Sequence, residues 1–427
     1  MLNFEMVGRV ARPNGAADFR WRVGLRLVAA AALGLTTSAW ATPLTFQDAL
    51  TLAEQRSPML QARRAALEGA QQSRTAAGQL PDPKLAVGVE NYPVSGADRF
   101  RWNRESMTMR RIGVMQEVPN AAKRAAQRES ADAKAERERA MLEAERLAVQ
   151  RETAVAWLAQ HHAERKLKLF AALERENQVL QDTLAARIAG GKAMPADALM
   201  ARQEALGLAE RRDELQAAVD QASAALQRWT GSAGETSGSS PVIPLDTTSL
   251  LQRLARHGEL LPSTSMLEMA KAEIAEAQAS RRGDWGWELA YANRHRAYGD
   301  MVSFQLSFDL PVSPATRQDP QIAAKRKELD RLEAERDDAL RRVRAELQSQ
   351  ISELQRLERA LERQVSSVLP LLGERVQLTL VSYEGGRTDL SSVLTARKDA
   401  AEAQWRALDL EAQLMSQRAR LAYLIAE

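Results

Sequence analysis

The sequence predicts a mainly α-helical chain with a membrane β-barrel portion: long coiled-coil helices plus four strands per protomer, in an internally duplicated chain. Three observations predict it. Residues 121–189 and 321–384 keep a helical apolar period over far more length than a globular domain uses. Four short segments alternate with period two instead. Blocks of the first half recur in the same order in the second.

The recurrence can be read directly. The run from Gly190-Gly191-Lys192 to Arg202 aligns without gaps on Gly385-Gly386-Arg387 to Arg397, an offset of 195. Met59-Leu60 and Ala70-Gln71-x-Ser73-Arg74 match Met266-Leu267 and Ala277-Gln278-x-Ser280-Arg281, an offset of 207. Ile112-x-Val114 ending at Pro119 matches Phe304-x-Leu306 ending at Pro311, an offset of 192. The domains expected are therefore a first repeat, 42–230, a Gly/Ser-rich linker, 231–245, and a second repeat, 246–427.

Residues 1–41 read as a secretory signal peptide. Arg20, Arg22 and Arg26 precede an apolar run from Leu27 to Leu35, and Ala39-Trp40-Ala41 supplies the small-x-small cleavage pattern. The run is about half the roughly twenty residues a transmembrane helix needs. No later window approaches that length, so any entry into a membrane is expected through β-strands.

Each half then reads helix, two strands, very long helix, tight turn, helix. The first helix is expected from about Thr45 to Gly78, ended by Pro81 and Pro83. Leu85, Val87 and Val89 alternate with smaller or polar residues, as do Ile112 and Val114. In the second half Trp285, Trp287, Leu289 and Tyr291 alternate, then Phe304, Leu306, Phe308 and Leu310, with a turn at Ala297–Asp300. Leu347, Ile351, Leu354, Leu361, Val365, Val368 and Leu372 advance mainly by fours and threes, a coiled-coil seam. Pro370 is expected to kink or break its helix.

Four amphipathic strands have the period of an outer-membrane barrel wall but cannot close a ring. An open edge in lipid leaves backbone groups unpaired at several kcal/mol each. Closure must come from other copies: two at minimum, three if a water-filled lumen is to remain.

The duplication, Leu44-Thr45-x-x-x-Ala49-Leu50-x-Leu52-Ala53, the proline closing each strand pair, and Tyr383-Glu384-Gly385-Gly386 with Val393-Leu394-x-Ala396 together resemble the outer membrane factor (TolC) family. Met301-Val302-Ser303 followed by Pro311 and Arg317-Gln318-Asp319 resembles its cobalt–zinc–cadmium-type heavy-metal branch. The resemblance implies a homotrimer with a twelve-stranded barrel in outer-membrane lipid and a helical tunnel in the periplasm. It implies a passive export duct of a tripartite efflux system, partnered by a periplasmic adaptor (membrane fusion) protein and an inner-membrane resistance–nodulation–division pump. Heavy-metal cations are the expected cargo; a multidrug or type I secretion duct is the alternative, and a pore-free periplasmic helical scaffold is the reading from a different class. By the same resemblance Gly190, Gly191, Lys192, Gly385, Gly386 and Arg387 form adaptor-docking tips. Asp197 and Tyr383, with Ser392 at the position equivalent to Asp197, then lie at the periplasmic entrance.

Other chemistries are excluded or disfavoured. With no cysteine there is no disulfide, thiolate metal site or N-terminal lipidated cysteine. Residues 186–193 lack the first glycine and the Ser/Thr of a phosphate-binding loop. His161-His162 are adjacent rather than spaced to share a metal, and His257 and His295 are isolated. Met107, Met109 and Met115 are potential soft ligands but fit packing or lipid contact better. Five of the 59 basic and two of the 56 acidic side chains fall before residue 42, leaving 54 of each and no charge case for nucleic acid. No enzyme activity, cofactor or metal centre is expected.

Overall fold

The computed structural model describes residues 43–191 and 193–426. The signal-peptide expectation and that for Lys192 lie outside the described residues. The elements run α1 (Phe46–Arg56), α2 (Pro58–Ala76), β1 (Lys84–Glu90), β2 (Met109–Val118), α3 (Ala121–Ala189), α4 (Pro195–Thr230), α5 (Thr247–Gln252), α6 (Leu261–Ala279), β3 (Trp285–Asn293), β4 (Met301–Phe308), α7 (Gln318–Arg363), α8 (Leu369–Glu384) and α9 (Leu390–Ala422).

The expected single helix from Thr45 to Gly78 is two helices, a correction with a local cause. Pro58 drives the preceding residue out of the helical region, and Ser57 is extended (φ −60°, ψ 117°). Its hydroxyl accepts from the Leu60 amide at 3.3 Å, so the same residue that ends α1 caps α2.

The strands form one antiparallel sheet in the order β1-β2-β3-β4. Its register sorts the side chains into two faces. One face carries the rows Val87–Ile112–Tyr291–Val302, Leu85–Val114–Leu289–Phe304, Gln116–Trp287–Leu306 and Val118–Trp285–Phe308. The other carries Gly88–Arg111–Ala292–Met301 and Ala86–Gly113–Ala290–Ser303. Leu310 falls beyond the end of β4.

α3 runs unbroken for 69 residues, about 100 Å at 1.5 Å per residue. It folds back on α4 through Gly190-Gly191, and α8 folds back on α9 through Gly385-Gly386. Pro370 does not break its helix. Residues Gln364–Val368 are wound as a π-helix immediately before it, and the chain continues into α8. A proline has no amide to donate and its ring crowds the carbonyl four residues back; the wider turn absorbs both. The buried seam reaches this turn at a polar residue. Leu347, Leu354 and Leu357 are buried as a helical period requires, but Gln364 takes the next inward place while Val365 and Val368 turn outward. Gln364 donates to the Ala403 carbonyl at 2.9 Å, tying this segment to α9.

The core is a series of clusters strung along the helices. Leu347, Leu354, Leu410, Leu414 and Leu421 join α7 to α9. Trp157, fully buried, packs edge-on to Phe46 at 5.4 Å and donates from its indole nitrogen to the Leu44 carbonyl at 2.9 Å. The polar linker is strapped down rather than free: Leu44 pairs with Thr236 in a parallel bridge, and Gln160 donates to the Gly234 carbonyl at 2.8 Å.

Candidate functional site: paired helix turns and a two-faced sheet

The two double-glycine turns have the same backbone geometry. Gly190 and Gly385 lie at φ −83° and −79°, and Gly191 and Gly386 both lie at φ +68°, the left-handed region that an L side chain enters at a cost. Nothing lies within 4 Å of a Cβ built on Gly191 or Gly386, so conformation alone selects glycine there. Arg387 is exposed, and its amide closes the second turn onto the Ser382 carbonyl at 2.8 Å.

The helices that leave these turns are capped by different means. Asp197, largely buried, accepts from the Met194 amide at 2.9 Å through Oδ2. In the second turn Asp389 is itself the cap and accepts from the amide of Ser392 at 3.0 Å and from its hydroxyl at 2.7 Å. The Ser392 hydroxyl, then its amide, hold the Asp389 carboxyl below the ordinary carboxylate range. Asp389 was not singled out in the sequence, although an aspartate directly before a helical run is a recognised start signal.

Tyr383 is buried between the two hairpins with Leu184, Ala201, Leu390 and Val393. The Arg187 guanidinium sits over its ring at 4.6 Å. The Tyr383 hydroxyl and Arg187 Nε are buried without a hydrogen-bond partner among the described residues. Sequence reading missed Arg187 because it aligns with Ser382, not with a residue of like chemistry.

His161 and His162 sit far from either turn, midway along α3. His161 stacks on Trp157 at 4.8 Å, and its Nδ1 meets the Thr236 hydroxyl at 3.1 Å. His162 donates from Nδ1 to the Leu158 carbonyl at 2.8 Å, leaving Nε2 3.8 Å from Glu411 Oε1. Burial, then the neighbouring His162 and Arg165, push His161 below its usual value; burial also lowers His162. Their rings are nearly perpendicular, at 89°, so they do not converge on one point. Met109 and Met115 share a strand face but stand six residues apart, about 20 Å, too far to share an ion.

The sheet is the most unusual surface. Val87, Val302 and Phe304 are 74%, 70% and 63% exposed on the apolar face. A soluble fold rarely leaves a whole apolar sheet face bare. The opposite face is small and polar, and Arg111 bridges Glu90 at 2.6 Å and Glu288 at 2.7 Å across three strands. No helix among the described residues is long and apolar enough to cross a membrane.

No protein-family model matches the sequence, and no curated relative is significantly similar to it. Solved structures match the fold. CusC, whose crystal structures concern transmembrane channel formation, superposes with a TM-score of 0.74 at 15% identity, covering 91% of this chain and 94% of that one. The outer-membrane channel OprN gives 0.73 at 15% identity over 89% of both chains. The outer membrane protein VceC of Vibrio cholerae gives 0.72 at 17% identity, over 89% and 95%. The described chain therefore has the fold of an outer-membrane channel protomer.

Proposed function

We propose that the protein is an outer membrane factor of the TolC family: a passive export duct in the outer membrane, assembled as a homotrimer whose three four-stranded sheets close a twelve-stranded barrel. The observation that carries this reading is the open four-stranded sheet, bare and apolar on one face, small and polar on the other. A free edge in lipid is too costly to persist, so neighbouring copies supply the missing pairs. The matching order and turn geometry of the halves support an ancestral duplication, and the α3–α4 and α8–α9 hairpins supply a periplasmic tunnel. The double-glycine turns, with Lys192 and Arg387, are the docking points for a periplasmic adaptor that connects to a resistance–nodulation–division pump. Asp197, Tyr383 and Ser392 lie at the tunnel entrance. Heavy-metal cations are the proposed cargo, from the resemblance around Met301-Val302-Ser303 and Arg317-Gln318-Asp319.

Two experiments test this in sequence. Outer-membrane fractions should yield a heat-modifiable trimer that conducts ions in a planar bilayer; a soluble, non-conducting protein would sink the duct. Deleting the gene should then lower tolerance to zinc, cadmium, cobalt, copper or silver; a loss confined to hydrophobic drugs would assign the duct to drug export.

A further inference from the structure

The end of the sheet remote from the helices carries a surface that an export duct does not require. The connections 91–108 and 294–300 both leave the sheet at that end. They and the second residue of β2 present Arg99, Arg101, Arg104, Arg110 and Arg296, all exposed, and none forms an ion pair among the described residues. At the opposite end several cations are paired, Lys84 with Glu117 at 2.6 Å, Lys123 with Asp284 at 2.9 Å, and Arg281 with Asp319, although Arg282 and Arg317 there form no ion pair among the described residues. Aromatic rings are interleaved with the free arginines. The Arg110 guanidinium lies 5.5 Å from the Trp102 ring, Trp102 packs on Tyr92 at 4.7 Å, and Arg99 lies 5.3 Å from the Phe100 ring. Phe100 is 59% exposed.

Register links this ledge to the apolar wall. Arg110 stands opposite Val89 and Asn293, one row beyond Val87–Ile112–Tyr291–Val302 and on the same face. Unpaired guanidiniums bind phosphate through forked hydrogen bonds, and aromatic rings favour the boundary between head groups and chains. A ligand that satisfies both the ledge and the wall carries phosphates on a sugar head and acyl chains below it.

We propose that this ledge binds the phosphorylated glycolipid of the outer leaflet, taking its phosphates on Arg99, Arg101, Arg104 and Arg110 and its chains on the wall at Val89, Val87 and Ile112. This rests on the sheet spanning the outer membrane with its helices on the periplasmic side. The full-length oligomer, released in detergent, is titrated by native mass spectrometry with diphosphoryl lipid A, phosphatidylglycerol and inorganic pyrophosphate. Lipid A should bind in preference to both. R99Q/R101Q/R104Q/R110Q should weaken it by about tenfold or more, and the four lysine replacements should retain most of it. Equal lipid A binding by the glutamine variant overturns the proposal, as does equal binding of phosphatidylglycerol or of pyrophosphate alone. Heat-modifiability of each preparation separates the two layers. A heat-modifiable oligomer that ignores lipid A overturns the ledge only; a soluble protein overturns the membrane reading with it.

Discussion

Asp197 and Asp389 each cap the helix that leaves a double-glycine turn, but from positions three residues apart. Asp389 is the capping residue itself, aligned with Met194, whereas Asp197 reaches back from inside its helix and aligns with Ser392. Each carboxylate satisfies an amide that the start of a helix leaves unpaired. The aspartate proposed for the entrance thus already has a structural task, so removing it changes two things at once.

A paired substitution separates them. Asp197→Ala should cost about 1 kcal/mol of stability by losing the cap, and should also change single-channel conductance or cation selectivity. Met194→Asp with Asp197→Ser rebuilds the second turn's cap in the first and should recover the stability measured by thermal unfolding. If Asp197→Ala leaves conductance and selectivity unchanged, the entrance role falls while the capping role stands.

The buried histidines give the described chain an acid-sensitive point away from the sheet. His161 and His162 both titrate below their usual value, first because of burial. For His161 the neighbouring His162 and Arg165 add to burial, whereas for His162 burial prevails over the Leu158 carbonyl and Glu411, which favour its charged form. The unfolded chain therefore takes up these protons first, so stability falls as pH drops through about 6.5 and stops falling below the folded values. Thermal unfolding between pH 7.5 and 5.5 should show a declining midpoint, and a slope reduced in His162→Gln. Glu411, lowered from the ordinary carboxylate range by Arg165 against the opposing effect of its own burial, adds its loss only in more acid solution.

Much of this fold was legible because period and punctuation are local. α3 spans residues 121–189 as its pattern requires, and both glycine turns and the four strands fall where alternation and turn residues put them, save that β4 ends at Phe308, before Leu310. What was not legible depends on accommodation between elements. Gln364, not Val365, takes the inward place against α9, where it donates to the Ala403 carbonyl, and the π-turn that begins there carries the chain on to Pro370. The break at Pro58 was legible and overlooked, since an X-Pro step within a helical pattern is itself a boundary signal. The capping exchange at the tips was hidden for another reason. A gapless alignment equates Asp197 with Ser392, although the residue performing the same task is Asp389.

Gly283 marks the junction of α6 with the sheet. A Cβ built there lies 1.7 Å from the Asp309 carbonyl oxygen, while the Asp309 amide donates to the Asp284 carbonyl at 2.8 Å. Because the obstruction is backbone, no side chain can rotate away. Gly283→Ala should cost about 3 kcal/mol, the upper range for overpacking, and reduce recovery of heat-stable oligomer. Gly69→Ala, in a helix with nothing within 4 Å, should instead stabilise by roughly 0.5–1 kcal/mol. Equal behaviour of the two variants would show that the junction is not rigid.

Phe304 and Ser303 are neighbours in β4 that face opposite ways. Phe304 stands in the exposed apolar row with Leu85, Val114 and Leu289, and Ser303 in the row with Ala86, Gly113 and Ala290. If lipid covers the first face and water the second, arginine at the two positions has opposite consequences. Phe304→Arg, midway along β4, should cost about 2–4 kcal/mol near the bilayer midplane and deplete the protein from outer-membrane fractions. Ser303→Arg places its charge in a hydrated lumen, so assembly should survive while selectivity moves toward anions. The ratio of heat-stable oligomer between the two variants reads the difference directly. Comparable yields would mean that the bare apolar face does not meet hydrocarbon, because no aqueous surface distinguishes adjacent arginines by that much.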